Sequence, residues 1–272
     1  MQELPELDTY RALLAEQFAG AAQITGIEVK NPKTFQASPE QLEHDVIGKA
    51  VWFVERRGKH LLFHLDNGKR LLLHVAPGAY LYKGSDADQP SRTAQIIIRF
   101  SDQTLYCIGL RTDDMQLLSV KEVEEKLGRL GPDPFEKRLT AARFIDRFAK
   151  KRGSLKAALM DQTMISGIGS VYADEICFEA EVRPDAKIPV LQRETWERLY
   201  VSMHRVLKEA ISKGGAGEQP FAAGDNLTGG YHAHFNVYNR EGQMCPRCGA
   251  TIVKMDVSTR KAYVCLSCQK DQ

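Results

Sequence analysis

The sequence predicts an α+β protein. An N-terminal helix and an antiparallel β-sandwich or barrel are followed by a helical domain that ends in a metal-bound β-hairpin. Three observations carry this reading. Apolar Leu7, Tyr10, Leu13, Leu14 and Phe18 recur at helical spacing at the very start. Six short, β-branched or apolar runs then lie closely spaced within residues 24–108, joined by short turns, which reads as an antiparallel sandwich or barrel. Finally, Cys245-Pro246-Arg247-Cys248 and Cys265-Leu266-Ser267-Cys268 close the chain with two Cys-x-x-Cys pairs.

The first helix is expected from Leu4 to Phe18, with Pro5 in its first turn and Glu3 and Glu6 near the positive end of its dipole. Strands are expected at 24–29, 50–55, 61–65, 71–75, 96–100 and 104–108, with Asp66-Asn67-Gly68 as a hairpin turn. Helical periodicity takes over at 121–129, 134–149, 153–162, 170–180 and 191–213. Gly131-Pro132-Asp133-Pro134 breaks the chain where the pattern changes, and Gly214-Gly215 ends the last long helix. The expected domains are therefore 1–130, 131–236 and 237–272, with the Gly-rich stretch 214–235 as an open loop. Gly167-Ile168-Gly169 follows no strand and lacks a third glycine in step, which excludes a dinucleotide fingerprint.

Each Cys-x-x-Cys pair forms a knuckle that aims two sulfurs at one point, and tetrahedral Zn²⁺ takes four such ligands. Two disulfides, or free thiols, are the competing readings, and an N-terminus that does not read as an export signal places zinc ahead of them. With Cys245, Cys248, Cys265 and Cys268 all bound, no position stays open for substrate, so one structural zinc is expected. Cys107 and Cys177 lie in apolar runs and read as buried thiols. No apolar run approaches the ~18 residues of a membrane span. The N-terminus, charged at Glu3 and Glu6, does not read as a targeting segment. The expected location is the cytoplasm. Residues 1–130 carry 16 Lys and Arg against 18 Asp and Glu, whereas residues 131–272 carry 21 against 17. The basic excess gathers at Lys150-Lys151-Arg152 and Lys156, and again around the cysteines at Arg240, Arg247, Lys254, Arg260 and Lys261. Such patches can neutralise phosphates, although a charge run is more often a solvated face.

Four stretches, in order from the first residue to the last cysteine, carry a resemblance. Met1-Gln2-Glu3-Leu4-Pro5-Glu6 resembles the M-P-E-L-P-E opening of the formamidopyrimidine-DNA glycosylase/endonuclease VIII family. Arg56-Arg57-Gly58-Lys59-His60-Leu61-Leu62 resembles its R-R-x-K-x-L-L strand. Leu159 to Gln162 with Gly167 to Glu175 resembles its helix–two-turn–helix segment, and Val237 to Gly242 its lead into the zinc finger. The resemblance implies a monomeric base-excision enzyme on double-stranded DNA holding a damaged base or abasic site, associated with the nucleoid and acting on an extruded base. It implies an N-terminal proline as amine nucleophile at the position of Gln2, Glu3 as acid/base, Glu6 as supporting carboxylate and Lys59 as proton donor to the leaving side. Arg260 would grip the phosphate at the lesion. Lys156, Gly169 and Ser170, with Tyr238 and Asn239, would hold neighbouring DNA, and Pro77 and Arg111 would fill the gap left by the base.

Gln2 departs from that pattern. A carboxamide nitrogen, its lone pair delocalised, does not replace a secondary amine. Gln after the initiator also disfavours methionine removal, which leaves the α-amine of Met1 displaced by one residue. Two chemistries then remain: Glu3 activates water, or the Met1 amine attacks, and in both the strand-cleaving lyase step is expected to be weak or absent. Pro77 stands where the family commonly has methionine. Arg111-Thr112-Asp113-Asp114 keeps an arginine without an aromatic wedge, and Asp113 and Asp114 are expected to face phosphates unfavourably. Two further readings are a catalytically silent relative that binds distorted DNA, and a zinc-ribbon interaction module with no DNA role.

Overall fold

The computed structural model describes residues 2–20 and 23–270, and its chain divides into two compact units. One comprises Met1–Arg129 with Lys213–Gly230, the other Leu130–Ser212 with Tyr231–Gln272. The helical segment is thus interrupted, because Lys213–Gly230 belongs with the first unit.

In the first unit, helix α1 (Leu4–Phe18) starts as Pro5 and the acidic first turn require. The Glu6 carboxylate accepts from the Glu3 backbone N–H at 2.9 Å, the return half of a capping box. Two sheets follow. Strands β1 (Gly26–Val29), β7 (Ala94–Arg99), β8 (Thr104–Ile108) and β6 (Tyr80–Gly84) lie in that order, all antiparallel. The second sheet runs β2 (Phe35–Gln36), β9 (Met115–Leu118), β5 (Arg70–His74), β4 (His60–Leu65) and β3 (Val51–Arg57), with only β2–β9 parallel. Alternation sets the faces. Leu61, Phe63, Leu71 and Leu73 on one sheet and Ile96, Ile98, Leu105 and Cys107 on the other share a core with Leu7, Tyr10, Leu14 and Phe18 of α1. Each such buried aliphatic or aromatic side chain contributes on the order of 1.5–3 kcal/mol. Short helices α2 (Pro39–Asp45) and α3 (Val120–Leu127) flank the sheets, both opened by a serine cap.

The β-sandwich is as expected, with three more strands than the sequence signalled. β2 is two residues long, and β6 and β9 lie beside the Gly78 and Asp113 turns, where alternation is too brief to register. The Asp66-Asn67-Gly68 hairpin is present, with Leu65 N–H bonded to the Lys69 carbonyl at 3.0 Å.

The second unit contains α4 (Ala141–Phe148), α5 (Leu155–Leu159), α6 (Ser170–Glu179) and α7 (Arg193–Ser212), then the hairpin β10 (Val253–Val257) and β11 (Arg260–Val264). The helix expected over 134–149 begins only at 141. Phe135 N–H bonds the Asp133 side chain and Leu139 N–H bonds the Glu136 carbonyl, so successive turns take up the first residues until Thr140 caps α4. Phe144 and Phe148 of α4 pack on Trp196 of α7. Among the described residues no helix is long and apolar enough to cross a membrane.

Candidate functional site

In the first unit, Gln2, Glu3 and Glu6 lie at the start of α1. Glu3 is 1% and Glu6 3% exposed, so both carboxylates are interior groups. Glu6 is held from both sides: Oε2 takes the Glu3 N–H, and Oε1 takes the backbone N–H of Ala216 at 2.7 Å. That second bond requires Gly214 and Gly215, at φ +74° and +66°, to bring the backbone against the helix. A Cβ on Gly215 would stand 2.9 Å from three atoms of Glu6. The stretch expected to be an open loop therefore begins as a buried clasp, and Gly214 to Gly217 are all buried.

Gln2 is also interior. Its Nε2 donates to the Ala79 carbonyl at 3.0 Å, whereas Oε1 has no partner among the described residues. Met1, whose amine was one of the two expected nucleophiles, lies outside the described residues.

Lys59 was expected within a strand but sits on the turn between β3 and β4. Arg57 pairs with His60, leaving Gly58-Lys59 as a two-residue connection with Gly58 at φ +58°. Arg56 braces this turn, donating from Nη1 to the Gly58 carbonyl while Nε reaches Asp8 of α1 at 3.4 Å. Lys59 is half-buried and has no ion-pair partner among the described residues. Its neighbour His60 is pushed down to about 4 by burial and by His74, so it is neutral at pH 7. With Arg56 bonded to Asp8 and Gly58 and Arg57 paired with Glu124, Lys59 is the third cation at this corner.

Pro77 and Arg111, expected on separate gap-facing loops, are side by side. Arg111 Nη2 donates to the Pro77 carbonyl at 3.2 Å, and both side chains are exposed. The expectation for Asp114 is corrected. It is 7% exposed, accepts from Arg111 N–H at 2.7 Å and lies 3.1 Å from His74 Nδ1, so it fixes the loop from within. Asp113 is exposed at φ +61°, a conformation that Asp tolerates better than most residues.

In the second unit, Gly169 caps α6 and Ser170 opens it, which places the positive end of the helix dipole at this turn. Gln162 shapes the preceding turn by accepting from Gly167 N–H and donating to the Ile168 carbonyl. Tyr238 and Asn239 are set by a carboxylate that sequence reasoning left without a role. Glu175 of α6 is fully buried and accepts from the backbone N–H groups of Asn236, Val237 and Tyr238 and from the Asn236 side chain. Burial raises its pKa, and those donors pull it back. Asn239 takes φ +57°, within 3.4 Å of the Tyr263 hydroxyl.

Lys156 is corrected more strongly. It was expected to hold a phosphate, yet it is 1% exposed. Its ammonium lies 2.8 Å from Asp174 and also donates to the Lys261 carbonyl, while Asp174 accepts from Tyr263 N–H at 3.2 Å. Burial pushes Asp174 up to about 7 against the pull of Lys156. Lys156 is thus an interior bolt between α5, α6 and β11, with no ammonium left at the surface. Arg260 is the reverse case. It stands exposed beside the two-residue turn 258–259 and has no ion-pair partner among the described residues, whereas its neighbour Lys261 pairs with Asp256 at 2.6 Å.

The four cysteine sulfurs lie within 4.8 Å of one another, with 3.8 Å between Cys245 and Cys268 and 3.5 Å between Cys248 and Cys265. A tetrahedron of ~2.3 Å Zn–S bonds has edges of about 3.8 Å, so these residues fit one zinc ion. They are far beyond the ~2.05 Å of a disulfide. Gln269, fully buried, supports the second knuckle by accepting from Cys265 N–H and donating to the Val182 carbonyl. Asp174 and Glu175 were detectable as two adjacent acids in an otherwise apolar helix, a pattern that signals buried, paired carboxylates. Gln269 gave no such signal.

Three family models match in register. They are the formamidopyrimidine-DNA glycosylase N-terminal domain over residues 1–115, the H2TH domain of the same enzymes over 130–221, and the zinc finger found in FPG and IleRS over 242–270. A formamidopyrimidine-DNA glycosylase of Pelotomaculum thermopropionicum is 33% identical over 282 residues, covering 99% of both chains. That of Desulfitobacterium hafniense is 30% identical over 273 residues, covering 99% of this chain and all of the relative. The complex between Lactococcus lactis Fpg and DNA containing an abasic site superposes with a TM-score of 0.89 at 27% identity, covering 99% of this chain and all of that one. With these matches running from the acidic N-terminus to the last cysteine, the chain belongs to the formamidopyrimidine-DNA glycosylase family.

Proposed function

We propose that this protein is a DNA glycosylase of base-excision repair that binds duplex DNA containing a damaged base or abasic site. It releases a flipped, modified base with water, not a protein amine, as the nucleophile. The observation that carries the second half is Gln2. Its carboxamide is buried and engaged with Ala79, which leaves no amine at the family's nucleophile position, while Glu3 and Glu6 beside it keep a braced interior geometry. Glu3 takes a proton from water, the water oxygen bonds to C1′, the glycosidic C–N bond breaks, and Lys59 protonates the departing base. Without a Schiff base, elimination at the sugar has no covalent intermediate to start from, and the AP-lyase step is weak or absent.

Arg260, the N-terminus of α6, Tyr238 and Asn239 serve as phosphate and sugar contacts, and the zinc holds the hairpin that presents Arg260. Four thiolates kept for a metal suit the reducing cytoplasm, where a monomer would act on the nucleoid. The Lactococcus lactis relative is described in complex with abasic-site DNA and with N7-benzyl-Fapy-dG DNA, which supports lesion-containing duplex as the partner class.

The test is single-turnover base release from duplexes carrying oxidised purines. Glu3→Gln and Lys59→Ala should each slow release by about 10²–10⁴-fold, the range of general acid–base groups. Binding of abasic-site duplex with no base release from any such substrate would mark a silent binder instead.

A further inference from the structure

The loop between β5 and β6 is fastened at three successive backbone carbonyls, each by a side chain from elsewhere in the first unit. Arg111 donates to the carbonyl of Pro77, Arg92 to that of Gly78 at 3.4 Å, and Gln2 to that of Ala79. The loop is tight in itself, with Ala79 N–H on the Ala76 carbonyl at 3.0 Å and Gly78 at φ +86°. A Cβ on Gly109 would stand 2.7 Å from the Gly78 carbonyl oxygen, so the neighbouring loop leaves no slack on that side. Arg111 and Arg92 make their bonds at the exposed surface, whereas Gln2 makes its bond in the interior.

The Gln2 bond comes at a cost. Oε1 is buried without a partner among the described residues, a penalty of the kind that a methionine or leucine of similar size would avoid. A side chain that merely filled this space would be apolar. What Gln2 has and those lack is an N–H directed at Ala79, in a side chain that also interacts with the buried Tyr10 hydroxyl.

We propose that Gln2 is a positioning residue whose carboxamide locks the Pro77–Ala79 loop from the inside, so that Pro77 and Arg111 form a rigid wedge for the gap left by an extruded base. Resting on the glycosylase reading above, this assigns a second consequence to the same substitution. The position that lost the amine gained the tether of the gap-filling loop. Proline there has no side-chain donor and cannot make the bond.

The test measures binding and needs no base excision. The full chain, Gln2→Ala and Gln2→Glu are titrated against duplex with a tetrahydrofuran abasic site and against the undamaged duplex. A 2-aminopurine beside the gap reports unstacking as the wedge enters. The native chain should prefer the abasic duplex and brighten the probe. Gln2→Ala should lose about tenfold of that preference, the scale of one buried hydrogen bond, together with most of the fluorescence change. Gln2→Glu keeps the size but, when ionised, places a carboxylate against the Ala79 carbonyl. It should be as impaired as Gln2→Ala at pH 8 and recover, relative to the native chain, as falling pH protonates the new carboxyl into a donor. Native preference and fluorescence in Gln2→Ala would overturn the proposal. So would a Gln2→Glu variant impaired equally at every pH, since that would trace the effect to packing. A native chain that does not distinguish the two duplexes would overturn both this proposal and the glycosylase reading.

Discussion

Glu6 shows how narrowly a single residue is set. Its two carboxylate oxygens face the backbone N–H groups of Glu3 and of Ala216, the latter 210 residues along the chain from Glu6, and the second is reachable only because residue 215 has no Cβ. Gly215→Ala is therefore expected to slow single-turnover base release by at least about tenfold, because displacing a supporting carboxylate by a fraction of an ångström misaligns Glu3. It should also destabilise the fold by about 1–3 kcal/mol in denaturant titrations. Gly224 is the control. It has a similar φ of +75° but open space where a Cβ would go, so Gly224→Ala carries the backbone strain without the collision. Equal rates for the two variants would show that the Glu6 clasp does not govern catalysis. Glu3, Glu6 and Lys59 were named because the motifs around them resemble those of the family in order along the chain, and residue type alone would have left Lys59 a surface cation. Lys156 was misplaced because a lysine in a basic stretch looks the same in sequence whether it meets solvent or a buried aspartate. Only the neighbours brought by Asp174 and Lys261 distinguish the two cases.

At the scale of elements, the zinc hairpin is joined to α5 and α6 by buried polar groups as well as by apolar packing. Phe178 of α6 shares a cluster with Cys245, Ile252 and Cys265, while the Lys156–Asp174 pair reaches the β11 backbone on both sides of Ala262. Removing one member of such a pair leaves an uncompensated buried group. Lys156→Met should therefore cost about 3–5 kcal/mol, and Lys156→Met with Asp174→Leu should recover most of it. The surface role is tested separately by salt dependence. In the folded double variant the slope of log affinity for DNA against log salt should stay near the native value. A loss of about 0.9 in that slope would show that Lys156 does reach a phosphate. The helix and strand elements were readable wherever periodicity ran for several residues, as in α1, α6 and α7. They were not readable in β2, β6 and β9, which exist because neighbouring strands offer partners, nor at 134–140, where Asp133 captures backbone groups that a helix would need.

For the whole molecule, the order of parts from the acidic N-terminus to the four cysteines was plain in the sequence, and the β-sandwich, helices and cysteine cluster are built as expected. Less visible was the return of Lys213–Gly230 to the first unit, because a Gly-rich stretch after a helix reads as an open loop until its Glu6 partner is known. The proposed function rests on Gln2, which takes the amine away from the family's nucleophile position while Glu3, Glu6 and Lys59, the proposed acid–base groups, are present. Borohydride trapping tests this most directly. The native chain and Gln2→Pro, with N-termini defined by mass spectrometry, are mixed with lesion and abasic-site duplexes, and base release is followed in parallel. The account predicts base release without a covalent adduct from the native chain, and an adduct from Gln2→Pro once its initiator methionine is removed. An adduct of comparable yield with the native chain would contradict it, because an amine of this protein would then still attack C1′.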